Sequence, residues 1–457
     1  KRFRLFVTSS LAEGQPSVFL ARRAVSARPA MKTAEARDIA LIEHQSVEPL
    51  AEQGSAESDA AEPKASARAI TMNFITGGLG SAIFSLPWSV AGSSVITSIV
   101  IVGVVLLLNA WTISIVVRAG ERYNVFDLGG IVANFPLGLG PPMQVVTDVF
   151  VWIAMFLCLV SYIIVIHDSA QTLVGGTWLD NRLLLVALAS AFVMPLCFLS
   201  QRLLERTSSL AITVNIYLFA LIGTLYAQRS TDGTLPEGTC IFGSTIRGNF
   251  AMVTVMFQAV IVQMCVLPMY KALENRSPQK FDKIIAVGFG VLFFLFCGFS
   301  CIGYLLIGPK VQSNILADLP KGPAETVAQV GTILVIGCVY PIMVYPMIAP
   351  IADREGTLCG LNRKTVATGA KFVIVAAAMV TAACFSSLGV VNVVNGAMSA
   401  LIFVALIPSV IGLTLLDVGK CHKVALVLLL ICGSVVACMG FIFSDNYVED
   451  LKCSMEA

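Results

Sequence analysis

The sequence predicts an all-α integral membrane protein of about eleven transmembrane helices, and three observations carry that expectation. Hydrophobic residues make up 57% of the 457, while Asp, Glu, Lys and Arg make up 13%, about half their share in a soluble domain; mean hydropathy is +0.84. From Ala69 to Val117 not one of those four charged residues occurs, and further charge-poor blocks follow at a steady pitch. The blocks are long and continuous rather than alternating in ten-residue strands, so a helical bundle and not a barrel satisfies the backbone in hydrocarbon.

Composition also excludes functions. A net charge of +2 gives no field for nucleic acid, and three histidines are too few and too scattered for a metal cluster. No nucleotide-binding loop, Arg-rich span or carbonyl filter is present, nor an HExxH or a serine elbow. Neither an enzyme nor a cofactor protein is therefore expected. Most of the thirteen cysteines sit singly in apolar runs as small hydrophobes; Cys240 and Cys453 alone are expected on the non-cytoplasmic side.

In chain order, residues 1–68 read as a disordered cytoplasmic tail, polar and rich in Ala, Ser and Glu. Its first 34 residues hold seven basic groups and one acid, the composition of a transit peptide as well as of an ordinary tail. The spans then fall at roughly 70–91, 95–117, 143–166, 183–200, 208–227, 249–270, 284–307, 327–350, 365–386, 389–416 and 424–443, followed by a short non-cytoplasmic tail, 444–457. With the N-terminus inside, the cytoplasmic loops carry thirteen Lys and Arg and the opposite loops six, which sets the orientation. The chain's one glycosylation sequon, Asn275-Arg276-Ser277, then lies on the cytoplasmic side.

The first span holds Thr76-Gly77-Gly78-Leu79-Gly80-Ser81 ahead of Leu86-Pro87. Three glycines in four residues weaken a helix by roughly 1 kcal/mol each. Unwound here, the segment would present free N–H groups to a carboxylate at the membrane midplane; the alternative is close helix packing on small residues. Inverted repeats would place a second interruption five spans on, where Gln258, Gln263 and Pro268 occur. Ionisable residues within spans are few. Asp148 and Lys371 are candidates for proton coupling, both close enough to the surface to snorkel, and His167 and His422 read as interfacial.

Taken together, these residues resemble the amino acid/auxin permease family over nearly all of 69–443. The resemblance rests on Asn73, Gly80-Ser81-Ala82 and Leu86-Pro87-Trp88 in the first span, and on Tyr123-Asn124-Val125-Phe126-Asp127-Leu128 after the second. Ser161-Tyr162-Ile163-Ile164 with Asp168, then Pro195-Leu196 and Val266-Leu267-Pro268-Met269-Tyr270, continue it. Gly303-Tyr304, Gly308, Asn314-Ile315-Leu316, Leu319-Pro320, Tyr340-Pro341, Pro346, Gly396 and Pro408 complete it in order and spacing.

That resemblance implies the bacterial leucine transporter fold, with two inverted five-helix repeats plus one extra helix, and amino acid transport through a lipid bilayer. It implies a substrate carboxylate at Gly78, Leu79, Gly80 and Ser81, and an amine at carbonyls near Thr76, Gly77, Val260 and Ile261. Three departures bear on substrate and ion: Ala82 replaces a glycine, Gln263 stands where many relatives have His, and Thr76 stands where sodium-coupled relatives have Asn. Gly337 and Val339 occupy the eighth-span positions where sodium-coupled relatives have Thr, and neither can ligate sodium. The expectation is a transporter for small neutral amino acids, independent of sodium and either proton-coupled or facilitative, in the plasma membrane or an endolysosomal or vacuolar membrane. The competing expectation is a transporter-like sensor read out through the tail.

Overall fold

The computed structural model describes residues 64–136, 138–178, 180–198, 208–352, 357–358 and 361–444. Its helices fall into eleven spans. Span 1 is the pair Ala67–Gly78 and Ser81–Ser93, bent by 45°. Span 2 is Val95–Tyr123, span 3 Gly140–Val174, span 4 Arg182–Leu196 and span 5 Ser208–Thr231. Span 6 comprises Ile246–Ala259 and Gln263–Ala272; span 7 is Pro278–Ile307, span 8 Pro323–Ala352 and span 9 Arg363–Cys384. Span 10 runs Leu388–Thr414 and span 11 Lys420–Ser444. Among the described residues nine are individually long and apolar enough to cross a membrane, the bent pair makes a tenth, and span 4 is shorter at 15 residues. A helix at Leu128–Val132 and an antiparallel pair, Thr357–Leu358 with Leu361–Asn362, lie in loops.

Local chemistry explains the breaks. In span 1 the helix stops at Gly78, Leu79 N–H closes on Thr76 O at 3.1 Å, and Gly80 is extended. A 3₁₀ turn, Ser81–Ser85, leads into Leu86–Ser93. Pro87 sits in that helix's first turn, where its missing donor costs nothing. Span 6 breaks at 260–262, ahead of the Pro268 kink that the sequence suggests. The break falls on Val260-Ile261-Val262, three β-branched residues whose crowded χ1 lowers helix propensity, and Val262 N–H bonds Val260 O at 2.7 Å. Breaks five spans apart are what inverted repeats produce.

The second half of span 1 and span 10 grip the first half of span 6 at backbone contact. A Cβ on Gly248 would collide with Gly92 O, and one on Gly396 with Thr254 O. Thr245 adds a hydrogen bond to Gly92 O at 3.1 Å and caps the helix at Gly248 N–H. On the face carrying the basic loops, Arg118 pairs with Asp282 at 2.8 Å, Arg276 with Glu121 at 3.3 Å and Arg122 with Asp417 at 3.4 Å.

Several helices run beyond the expected limits, and two of these extensions bring a polar group inside. Span 3 runs to Val174, so His167, expected at the interface, is 2% exposed, with Nδ1 at 2.9 Å from Asp168. Span 8 starts at Pro323, so Glu325 lies within it and is 5% exposed.

Candidate functional site

A cavity of about 360 Å³ opens beside the break in span 1. Thr76, Gly77, Leu79, Gly80 and Ser81 form one wall; Tyr162 of span 3, Asn215 and Leu218 of span 5, and Thr332, Ile336 and Val339 of span 8 form the others. Met72 and Asn73 of span 1, Met269 of span 6 and Met343 of span 8 extend it toward the face of Arg118, Arg122 and Lys271. On the opposite side it is closed. Trp88 packs on Gly389, and Asn392 donates to Ser85 Oγ at 2.8 Å while accepting from Ser161 Oγ at 3.1 Å, joining spans 1, 3 and 10.

The break gives the wall its polarity. The N–H groups of Gly80, Ser81 and Ala82 have no backbone acceptor among the described residues, because a 3₁₀ helix leaves its first donors unmet. Thr76 Oγ1 returns to Met72 O at 2.9 Å and Asn215 Nδ2 to Ala211 O at 2.9 Å. Thr332 Oγ1 is buried with no partner. No charged side chain lines the cavity among the described residues.

The sequence-derived candidates therefore separate. Thr76, Gly77, Leu79, Gly80 and Ser81 meet at the cavity. Gly78 does not: helical rotation of about 100° per residue turns it away, and a Cβ there would lie 2.7 Å from Leu292 of span 7, the close-packing role. Val260 and Ile261 are not among the described residues that line the cavity, and the Gln263 amide donates to Asn109 Oδ1 of span 2. Lys371 reaches back along span 4, with Nζ at 2.7 Å from Cys197 O and 4.9 Å from the Phe198 ring. Asp148 is exposed at the start of span 3, against Gly129. The two form no ion pair with each other among the described residues, and neither lines the cavity. Cys453, expected with Cys240 on the non-cytoplasmic side, lies outside the described residues, as does the tail through residue 63.

Asn215 and Thr332 are the cavity groups that the sequence reading passes over. Each is an uncharged polar residue inside an apolar span, where only ionisable groups stand out from the sequence.

Comparison with known proteins follows the same line. The model of the family described as transmembrane amino acid transporter protein matches residues 63–444. Amino acid transporter AVT6E of Arabidopsis thaliana is 22% identical over 294 residues, 59% of this chain and 60% of that protein. Vacuolar amino acid transporter 6 of Saccharomyces cerevisiae is 24% identical over 223 residues, 47% of this chain and 50% of that one. The chain thus spans half to three-fifths of the length of these relatives. Among solved structures, MhsT in complex with L-phenylalanine superposes with a TM-score of 0.50 at 14% identity, covering 84% of this chain and 100% of that one, a likeness of fold.

Proposed function

The chain belongs to the transmembrane amino acid transporter protein family, and on that premise we propose that it carries small neutral amino acids across its membrane by alternating access around the broken first span. The observation that carries the reading is the pair of N–H groups without a backbone acceptor at Gly80 and Ser81, in the wall of a cavity that no charged side chain lines among the described residues. Such groups suit a carboxylate, and the carbonyl end of the helix Ala67–Gly78 beside them suits an ammonium. A charged substrate side chain would enter this cavity unpaired, at a cost of several kcal/mol, whereas a neutral one meets Leu218, Ile336 and Val339. Val260, Ile261 and Gln263 act in this scheme from outside the cavity lining, shaping the break in span 6 rather than touching substrate.

We also propose that sodium takes no part. Gly337 faces Phe192 of span 4 and Val339 brings an apolar side chain to the cavity, so span 8 offers no hydroxyl at either position. A proton gradient, or the substrate gradient alone, then drives transport. Uptake of a panel of radiolabelled amino acids into proteoliposomes, in sodium and in choline buffer, tests both statements. Equal uptake of L-alanine in the two buffers, with little uptake of lysine or glutamate, is expected. Preference for a charged amino acid, or a steep saturable sodium dependence, overturns the corresponding statement.

A further inference from the structure

We infer that Glu325 is the group whose protonation couples transport to a proton gradient, with Gln329 and Thr332 joining it to the cavity; the inference rests on the transport reading above. Glu325 is 5% exposed in the first turn of span 8. A carboxylate there has an ordinary role, complementing the positive helix end. Its hydrogen bonding goes further. Oε1 accepts from Gln329 Nε2 at 3.1 Å, rather than from a first-turn backbone N–H as a capping glutamate would. No Lys or Arg pairs with it among the described residues. An ionisable residue buried inside a membrane span with no cation partner is a functional candidate by default.

Gln329 is fully buried, and its Nε2 also donates to Leu316 O at 2.7 Å, while its Oε1 has no partner. Thr332 is 2% exposed and its Oγ1 has none either. The spacing i, i+4, i+7 puts all three on one face of the helix, and Thr332 forms part of the cavity wall. From Glu325 to the cavity is thus two turns, about 10 Å, marked by two buried acceptors that lack donors. Water, or the hydroxyl of a protonated carboxyl, supplies such donors.

The elements around the head of span 8 carry other charged or titratable groups. Span 3 brings His167 and Asp168, held to each other and to Asn314. The preceding loop brings Lys310, Asp318 and Lys321, with Asp318 tied to Gln312. Span 4 brings Arg182, bound to Ala382 O and Phe385 O, and span 9 brings Lys371 at its far end. Span 5 brings Tyr226, Arg229, which bonds Leu306 O, and Tyr217, whose hydroxyl donates to Ala324 O at 2.8 Å. Among the described residues none of these forms a hydrogen bond or ion pair with Glu325. In the step itself, a Glu325 oxygen takes a proton from hydronium when the outer side is open. When the cavity opens on the basic-loop side that O–H bond breaks and the proton passes to cavity water; no other bond changes.

The test uses the full chain in proteoliposomes with membrane potential clamped, radiolabelled L-alanine as probe, and Glu325→Gln, which keeps the size of the side chain. Under an imposed gradient of one pH unit, wild type should accumulate L-alanine toward the about tenfold ratio that one proton per substrate supports. Glu325→Gln should lose that accumulation while L-alanine counterflow stays within about twofold, and Glu325→Asp should restore part of it. Accumulation retained in Glu325→Gln overturns the proposal. Equal loss of counterflow and accumulation in Glu325→Gln makes Glu325 structural and also overturns it. A wild type with counterflow but no response to pH, or one that answers to sodium instead, overturns the proton role while leaving transport standing; absence of counterflow in wild type removes the transport reading beneath it.

Discussion

Gly78 and Gly80 stand two residues apart in the same broken segment, yet they answer to different neighbours. A Cβ at Gly80 would meet nothing within 4 Å, beside the open space at the break; one at Gly78 would press on Leu292. Gly80→Leu is therefore expected to abolish uptake with yield and thermal stability unchanged. Gly78→Leu is expected to cost stability by overpacking, about 1–3 kcal/mol, read as a lowered Tm in detergent. If Gly80→Leu transports normally, the cavity beside it is not the substrate's. The glycine run was legible because three glycines in an apolar span break a simple rule. Asn215 and Thr332 were not, because single polar residues in apolar helices commonly bond back to their own turn, as Ser190 does to Val186 O and Thr381 to Ala377 O. Nothing in the sequence separates those from the two that line a cavity.

At the scale of elements, the helix count follows from charge-free stretches, while helix ends do not. Span 3 extends to Val174 and span 8 begins at Pro323 because packed neighbours bury polar turns that a hydropathy window would leave in water. His167 and Glu325 are inside for that reason. The break in span 6 was expected from symmetry, and the family resemblance put substrate-facing carbonyls at Val260 and Ile261, where it falls; the residues alone pointed to Pro268, since no glycine marks the break and β-branched residues are ordinary in membrane helices. What holds the broken halves is backbone contact, with Gly396 against Thr254 O and Gly248 against Gly92 O. Gly396→Ala must push spans 6 and 10 apart, because carbonyl backbone cannot yield as a side-chain tip can. The expected result is loss of monodisperse protein on size-exclusion chromatography; a well-folded Gly396→Ala would show that the contact has slack.

Across the whole molecule, the cavity walls take in the first halves of spans 1 and 5, Met269 in the second half of span 6, Tyr162 of span 3 and both halves of span 8, from Thr332 to Met343. The contributing parts of spans 1, 5 and 6 lie on the side of the basic loops. In the expected orientation, with those loops in the cytoplasm, this conformation would be inward-facing, shut on the other side by Trp88 and by the link from Ser85 through Asn392 to Ser161. The same orientation would put Asn275 in the cytoplasm, beside Arg276, which stacks 4.4 Å over Phe126. Asn275 is expected to stay unglycosylated in a secretory-pathway host, as judged by gel mobility with and without glycosidase; a shift on treatment would invert the topology. The central claim is that substrate crosses, rather than merely occupies, the site at the broken first span. Counterflow measures this most directly: proteoliposomes loaded with unlabelled L-alanine and placed in trace radiolabelled L-alanine, free of sodium. A transient overshoot of label inside the vesicles is the expected result, and saturable binding of L-alanine without overshoot would contradict it.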